Sequence, residues 1–438
     1  MRTDRLTAWI RQERNYLSLL LLAGLLFRLL YVWAAAGVAP WNDMAFYDQG
    51  RLEILNNGTY SMDWPPVYPM FMAAVSYLTG GGLLAVYFTQ AAVSVLTCFL
   101  IYLITKEIFG RAPAVIALAV SCFYADMASY AGVLMAETLG IFLLSLVIYL
   151  LLVKKPAALA GLLFGLTCLT KGVYLISLPA ILLWLYLRAE KKTAARTLLT
   201  FTACTFLAIA PWTARNYRVH KGFVLITAHE GGSLFLGHNP YAKGGADFDY
   251  LDTPYGDFER DPSLSLKQRT DIAQRLAREF IRNNPGREAQ LFFLKLSKYW
   301  SLRTHFDMNN GPYPLKRTFF FLSILTHMAL FPALILGAFF SRKDKKALVS
   351  HLIIAVNTLV FITLFFATGR MRYQLVPFII ILGAYGLSLL PGIIAGLKGP
   401  QAPALRKELA APAALTLLLY ANFVWQALEK HAAIAARF

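Results

Sequence analysis

The chain has 438 residues, 58% of them hydrophobic and only 15% charged, with a formal net charge of +18. A soluble protein of this length carries about a quarter charged residues. Apolar runs of membrane-spanning length recur throughout, so a soluble multidomain enzyme is excluded and an all-α polytopic membrane protein is expected.

The positive charge does not read as a nucleic-acid surface. It gathers in short clusters between apolar runs: Lys154/Lys155, Arg188/Lys191/Lys192/Arg196, Arg342/Lys343/Lys345/Lys346 and Lys398/Arg406/Lys407. That is the pattern of cytoplasmic loops. The basic leader (Arg2, Arg5, Arg11, Arg14) precedes a first span over about 16–38, read as a retained helix with its N-terminus in the cytoplasm. Residues 39–80 then form a polar, turn-rich outer loop with Asp43, Asp48, Glu53, Asp63 and the breaker Pro65-Pro66.

Further spans are expected over about 84–105, 113–127, 136–153, 157–170, 173–187 and 197–213. Those over 113–127 and 157–170 are short, and a tilted or re-entrant path suits them. A larger outer region, about 214–316, holds Gly-rich turns, an acidic stretch from Asp247 to Asp261, and a helical pattern through Ile272, Leu276 and Phe280 that Pro285-Gly286 is expected to end. Spans over about 318–340, 347–366, 375–390 and 410–426 follow. About eleven spans result, in three parts: an N-terminal transmembrane module over 1–213, an extracytoplasmic region over 214–316 and a C-terminal transmembrane module over 317–438. The four cysteines (Cys98, Cys122, Cys168, Cys204) lie in apolar runs without metal-ligand spacing, and are read as buried packing residues. No internal repeat is visible.

This topology puts all four named basic clusters inside. Arg51, Lys171, Arg370 and Arg372 are left in the short outer loops as exceptions to the charge rule, and charge near the bilayer needs a reason. Two readings stand for Lys171, Arg370 and Arg372: phosphate binding, or anchoring to lipid headgroups. In an extended segment Arg370 and Arg372 point the same way; in a helix they do not. Asp43 and Tyr47, four apart, share a helix face. Asp43 can take a proton from an incoming hydroxyl or amine, or cap a helix, and Asp48 reads as a supporting or capping residue. Glu137, after an apolar approach, either faces a cavity and binds substrate or caps its helix; Asp126 poses the same question. Residues 64–78, WPPVYPMFMAAVSYL, fit a segment lying along the interface or an ordinary loop into the next span. PWTARNYRVHKG, with Arg215, Asn216, Arg218 and His220, makes a further basic patch outside.

These motifs together resemble the membrane glycosyltransferases of the GT-C class, in particular bacterial relatives of the protein O-mannosyltransferases and the lipid A aminoarabinose transferase. The resemblance rests on Asp43-Met-Ala-Phe-Tyr47, on Pro65–Pro69 (PPVYP), on MAET around Glu137, and on PWTARNYR leading to ITAHEGGSLFLGHNP. NNPGREAQLFFLKLSKYW paired with GRMRYQLVP completes it. The resemblance implies a GT-C-like fold with extracytoplasmic juxtamembrane helices. It implies a sugar donor on a polyprenyl-phosphate carrier and a lipid, glycan or protein acceptor, at the periplasmic face of a bacterial inner membrane. Asp43 would then be the general base or the residue that orients the acceptor, and Arg370, Arg372 and Lys171 the donor-phosphate ligands, with Tyr47, Asp48, Glu137, Arg215 and Tyr373 at the substrate. One carboxylate together with the resemblance implies inversion, whereas a second acid would allow retention. The first outer loop lacks a tandem Asp-Glu, since Asp43 is followed by Met44, which speaks against a protein acceptor of the eukaryotic type. No metal or cofactor is expected, and membrane lipids are partners. The alternative is a transporter or flippase of an anionic or lipid-linked substrate, for which the intramembrane Arg28 is the one charged residue well inside a span.

Overall fold

The computed structural model describes residues 2–35, 37–188, 191–228, 230–302 and 315–435. Residues 303–314 of the expected outer region and the side chains of Arg2, Arg5, Arg11, Arg14, Lys191 and Lys192 lie outside that description. All regular structure among the described residues is helical. In chain order the helices are α1 (Arg2–Ala35), α2 (Asp43–Asn57), α3 (Val67–Thr79), α4 (Leu83–Phe109), α5 (Arg111–Cys122), α6 (Ala125–Ala131), α7 (Glu137–Leu152), α8 (Ala157–Thr170) and α9 (Leu178–Arg188). There follow α10 (Lys191–His220), α11 (Glu230–Gly237), α12 (Asp257–Arg260), α13 (Leu266–Asn283), α14 (Pro285–Tyr299), α15 (Lys316–Ser341), α16 (Leu348–Leu364), α17 (Val376–Gly396) and α18 (Ala402–Ala435).

Six of these are long and apolar enough to cross a membrane, and α5 with α6, bent by 49° at their junction, makes a seventh candidate. The other four expected spans fall on α7, α8, α9 with the 3-10 turn before it, and α16, each an apolar helical stretch of 17 residues or fewer. The chain is a multi-pass membrane protein in which length and composition support six or seven crossings, short of the expected eleven. The short span expected over 113–127 is the bent pair. Its break frees the carbonyls of Ser121 and Cys122, and hydrocarbon offers them no water. Arg28, fully buried, donates to both at 3.0 and 2.8 Å, and also to Gly24 O and Ser94 Oγ. Its charge therefore caps a helix end, and among the described residues it pairs with no carboxylate.

The core runs through the membrane bundle, with Tyr31, Ile101, Leu118, Phe164, Trp184, Phe331 and Phe378 all buried. α15 and α17 come so close that a Cβ on Gly386 would sit 1.9 Å from Ala333 O, as small residues at a membrane helix interface permit. Residues 64–78 become α3, starting two residues after Pro65. α13 begins with a capping box of Ser265 and Gln268, then buries Ala273 and Ala277 against Phe235 and Phe258. Pro285 ends α13, as expected, and also starts α14, because proline suits a first helical position.

Candidate active site

A cavity of about 1,620 Å³ lies where the segment between α1 and α3, the α8–α9 junction and the segment before α17 meet. Asp43 reaches it from the first turn of α2, and Tyr47 from one turn further on the same face, as their spacing predicts. Tyr47 is buried edge-on between Trp64 (5.0 Å between ring centres) and Tyr68 (4.8 Å). Burial, then the Glu137 and Asp43 carboxylates, push its hydroxyl well above the ordinary tyrosine range, so it stays protonated. Tyr68, within PPVYP, donates to Gln90 at 2.6 Å, and Gln90 in turn donates to Val133 O at 2.9 Å. The motif thus ties α3 to α4 and to the segment that leads into α7.

Lys171 and Arg370 line the same cavity. Lys171 Nζ donates to Glu137 Oε1 at 2.7 Å, Arg370 Nε donates to that same oxygen at 3.1 Å, and Arg370 Nη2 pairs with Asp43 Oδ2 at 2.6 Å. One unbroken chain, Lys171–Glu137–Arg370–Asp43, joins four helical segments far apart in sequence. Packing sets its spacing. Gly140 stands one turn into α7, where a Cβ would lie 2.2 Å from the Tyr174 hydroxyl. Its bare backbone lets the turn carrying Tyr174 close onto α7, which brings Lys171 beside Glu137. The Glu137 side chain is 5% exposed and the Asp43 side chain 25%, so the first is an inner anchor and the second a cavity-facing acid. The rest of the wall is largely apolar and aromatic, with Leu175, Ile176, Val360, Phe361, Leu364 and Phe365 among its residues.

Four other expected site residues do not join this cluster. Arg372 is 2% exposed. Residues Gly369–Leu375 form a 3-10 helix with three residues per turn, which sets positions two apart on different faces. The Arg372 guanidinium accordingly turns inward, donating to Tyr299 O and to Ser301 O (3.0 Å), and packs over the Trp300 and Phe331 rings. It caps the C-terminal end of α14 and does not line the cavity. Tyr373 is buried with its ring 4.1 Å from that of Tyr130, away from the cavity wall. Asp48 holds Arg51 at 2.7 Å, one turn along α2. Arg215 stacks over Trp212 and, with His220, clamps Asp63 and the Ser61 carbonyl of the first outer loop. Its neighbours Trp212, Thr213 and Asn216 bind the carbonyls of Leu225 and Ile226, so PWTARNYR fastens loops together.

Several wall residues had no signal of their own in the sequence. Asn42 and Trp64 flank the acid and the diproline, and Ser129, Lys298 and Arg317 come from separate segments. Asp126 also reaches the wall. It accepts from Ser323 on α15 and stands 3.5 Å from His327, which the Tyr124 hydroxyl meets at 2.6 Å. Among the described residues no three His, Cys, Asp or Glu side chains gather to hold a metal ion.

Among the described residues the chain is an all-helical polytopic bundle in which the segment after α1 turns Asp43 toward cations from later segments. Residues 63–214 match the family model described as dolichyl-phosphate-mannose-protein mannosyltransferase. The whole chain is similar to the archaeal oligosaccharyltransferase AglB from Archaeoglobus fulgidus, solved with an inhibitory peptide and a dolichol-phosphate. The TM-score is 0.54 and the identity 17%, covering 94% of this chain and 55% of that one. The apo form of the oligosaccharyltransferase from the same organism gives 0.55 and 17%, covering 93% and 54%. The chain therefore spans about half the length of these solved relatives. ArnT from Cupriavidus metallidurans bound to undecaprenyl phosphate shares 15% identity over 89% of this chain and 80% of its own, at a TM-score of 0.40 too loose to carry weight. No curated protein matches the chain. The likeness to AglB establishes the fold, and at that level the resemblance read from the motifs holds.

Proposed function

We propose that the protein is a glycosyltransferase that moves a hexose or pentose from a polyprenyl-phosphate carrier to a lipid, glycan or protein acceptor. The reaction would take place at the periplasmic face of a bacterial inner membrane, with the N-terminus in the cytoplasm. The observation that carries this reading is that Asp43 pairs with Arg370, which shares Glu137 with Lys171, beside a largely apolar wall in a single cavity. The matched family description and the dolichol-phosphate bound to AglB both name carriers of this chemistry.

Breaking the bond between the sugar and the carrier phosphate leaves negative charge on a phosphate oxygen. Fixed ammonium and guanidinium groups stabilise that charge as it develops. Asp43 takes the proton from the acceptor hydroxyl as its oxygen attacks the anomeric carbon. Attack opposite the departing phosphate inverts that carbon. Tyr47 and Trp64 line the part of the cavity beside Asp43 where the sugar would sit, and the apolar wall offers cover to an isoprenoid chain. Glu137 acts through Lys171 and Arg370, as a positioning residue.

The test is transfer from a radiolabelled polyprenyl-phosphate sugar in proteoliposomes, followed by mass spectrometry of the product. Wild-type protein should release polyprenyl phosphate and label an acceptor, and Asp43→Asn should abolish both. Net translocation of the intact donor without transfer would favour a flippase and overturn the assignment.

A further inference from the structure

The chain Lys171–Glu137–Arg370–Asp43 contains two cations and two carboxylates, so it carries no net charge. An incoming phosphate would meet a pair of cations whose charge is already balanced. To be held, it must displace one carboxylate. The two acids are not equal in this respect. Glu137 is nearly enclosed on α7 and grips both cations with one oxygen, so releasing it would strand a buried charge. Asp43 is five times as exposed, stands at the first position of α2 and, among the described residues, pairs with one nitrogen, Arg370 Nη2.

We infer that Arg370 is a latch on Asp43, which the donor phosphate opens by taking Arg370 Nη2 for itself while Glu137 keeps hold of Nε. This rests on the glycosyltransferase reading and adds an order to it: donor binds first, and its phosphate releases the base. Before that, the Asp43 carboxylate is engaged by the guanidinium, 2.6 Å from Arg370 Nη2. Afterwards it is unpaired beside the anomeric carbon and free to accept the acceptor's proton. No bond is made or broken in the latch itself. An acceptor entering an empty site finds no active base, which guards against wasteful engagement.

Farnesyl phosphate, titrated into the full chain in lipid nanodiscs, tests this by a double-mutant cycle. If Asp43 competes for Arg370, Asp43→Asn tightens farnesyl phosphate binding about two- to fivefold, the scale of a partly exposed ion pair. In an Arg370→Gln background the same Asp43→Asn change should then alter affinity less than twofold. An unchanged or weakened affinity for Asp43→Asn overturns the latch, and so does equal tightening in both backgrounds, which would mean simple repulsion between Asp43 and the phosphate. A second measurement uses the wild-type chain alone. Carbodiimide coupling of an amine to Asp43, read by peptide mass spectrometry, should rise several-fold on saturation with farnesyl phosphate and stay flat with farnesol. Flat or falling labelling despite saturable binding overturns the latch and leaves the glycosyltransferase reading standing. Absence of any farnesyl phosphate binding to the wild type overturns both.

Discussion

Arg370 and Arg372 are two residues apart in sequence, yet they sit in different chemical worlds. Arg370 faces the cavity and binds two carboxylates, Asp43 and Glu137. Arg372 faces inward and binds two backbone carbonyls, those of Tyr299 and Ser301, under two aromatic rings. Arg28 repeats the second pattern at the α5–α6 break. Charge in an apolar stretch therefore has two distinct uses in this molecule. Where a helix ends inside the bundle, an arginine satisfies carbonyls that lipid cannot. Where an arginine meets carboxylates at a cavity wall, its charge can be exchanged for a ligand's. The partner, more than the burial, tells structure from chemistry.

That contrast can be broken by substitution. The largest expected effect is on the cavity side: Asp43→Asn should lower the transfer rate by about 10²- to 10⁴-fold, the usual range for removing a general base, with an unchanged thermal unfolding midpoint. Arg370→Gln follows, at about 10²- to 10³-fold in transfer, comparable to losing one donor at a developing anion. For Arg372→Met the signature should be opposite. Two buried carbonyls lose their partner, at about 1–3 kcal/mol each, so the unfolding midpoint in detergent drops while the rate per folded molecule stays within a few-fold of wild type. A stable but inactive Arg372→Met would erase the distinction.

Gly140→Ala sharpens the comparison more gently. Overpacking against Tyr174 costs about 1–3 kcal/mol and should push Lys171 away from Glu137, weakening polyprenyl phosphate binding several-fold in a direct titration. The smallest effect is expected of Asp48→Asn, which removes an ion pair with Arg51 outside the cavity. Its cost should stay below about 1 kcal/mol, with transfer rates within twofold; a large loss of transfer would return Asp48 to the substrate.

Much of this was legible from residue order. Apolar runs located the helices of the bundle because spanning length and internal hydrogen bonding leave little freedom. Asp43 and Tyr47 share a face because four residues make just over one helical turn. Charge exceptions pointed to Lys171 and Arg370. What stayed hidden was rotation and partnership. Whether GRMRYQL is extended or helical decides where Arg372 points, and nothing local distinguishes the two; the 3-10 turn is imposed by the bundle around it. That Arg215 clamps Asp63, or that Glu137 holds two cations with one oxygen, depends on contacts between residues 34 to 233 positions apart, which no local spacing encodes. Asp48 reads as a supporting residue from the sequence alone and reaches the substrate only through the resemblance; its partner turns out to be Arg51, one turn along α2.

The most direct measurement is farnesyl phosphate affinity for Arg370→Gln and Arg372→Met side by side in nanodiscs, each checked for a cooperative unfolding transition. Arg370→Gln should bind at least tenfold more weakly than wild type, and Arg372→Met within twofold of it. Loss of affinity in Arg372→Met with retention in Arg370→Gln would contradict the assignment of the phosphate to the cavity-facing arginine.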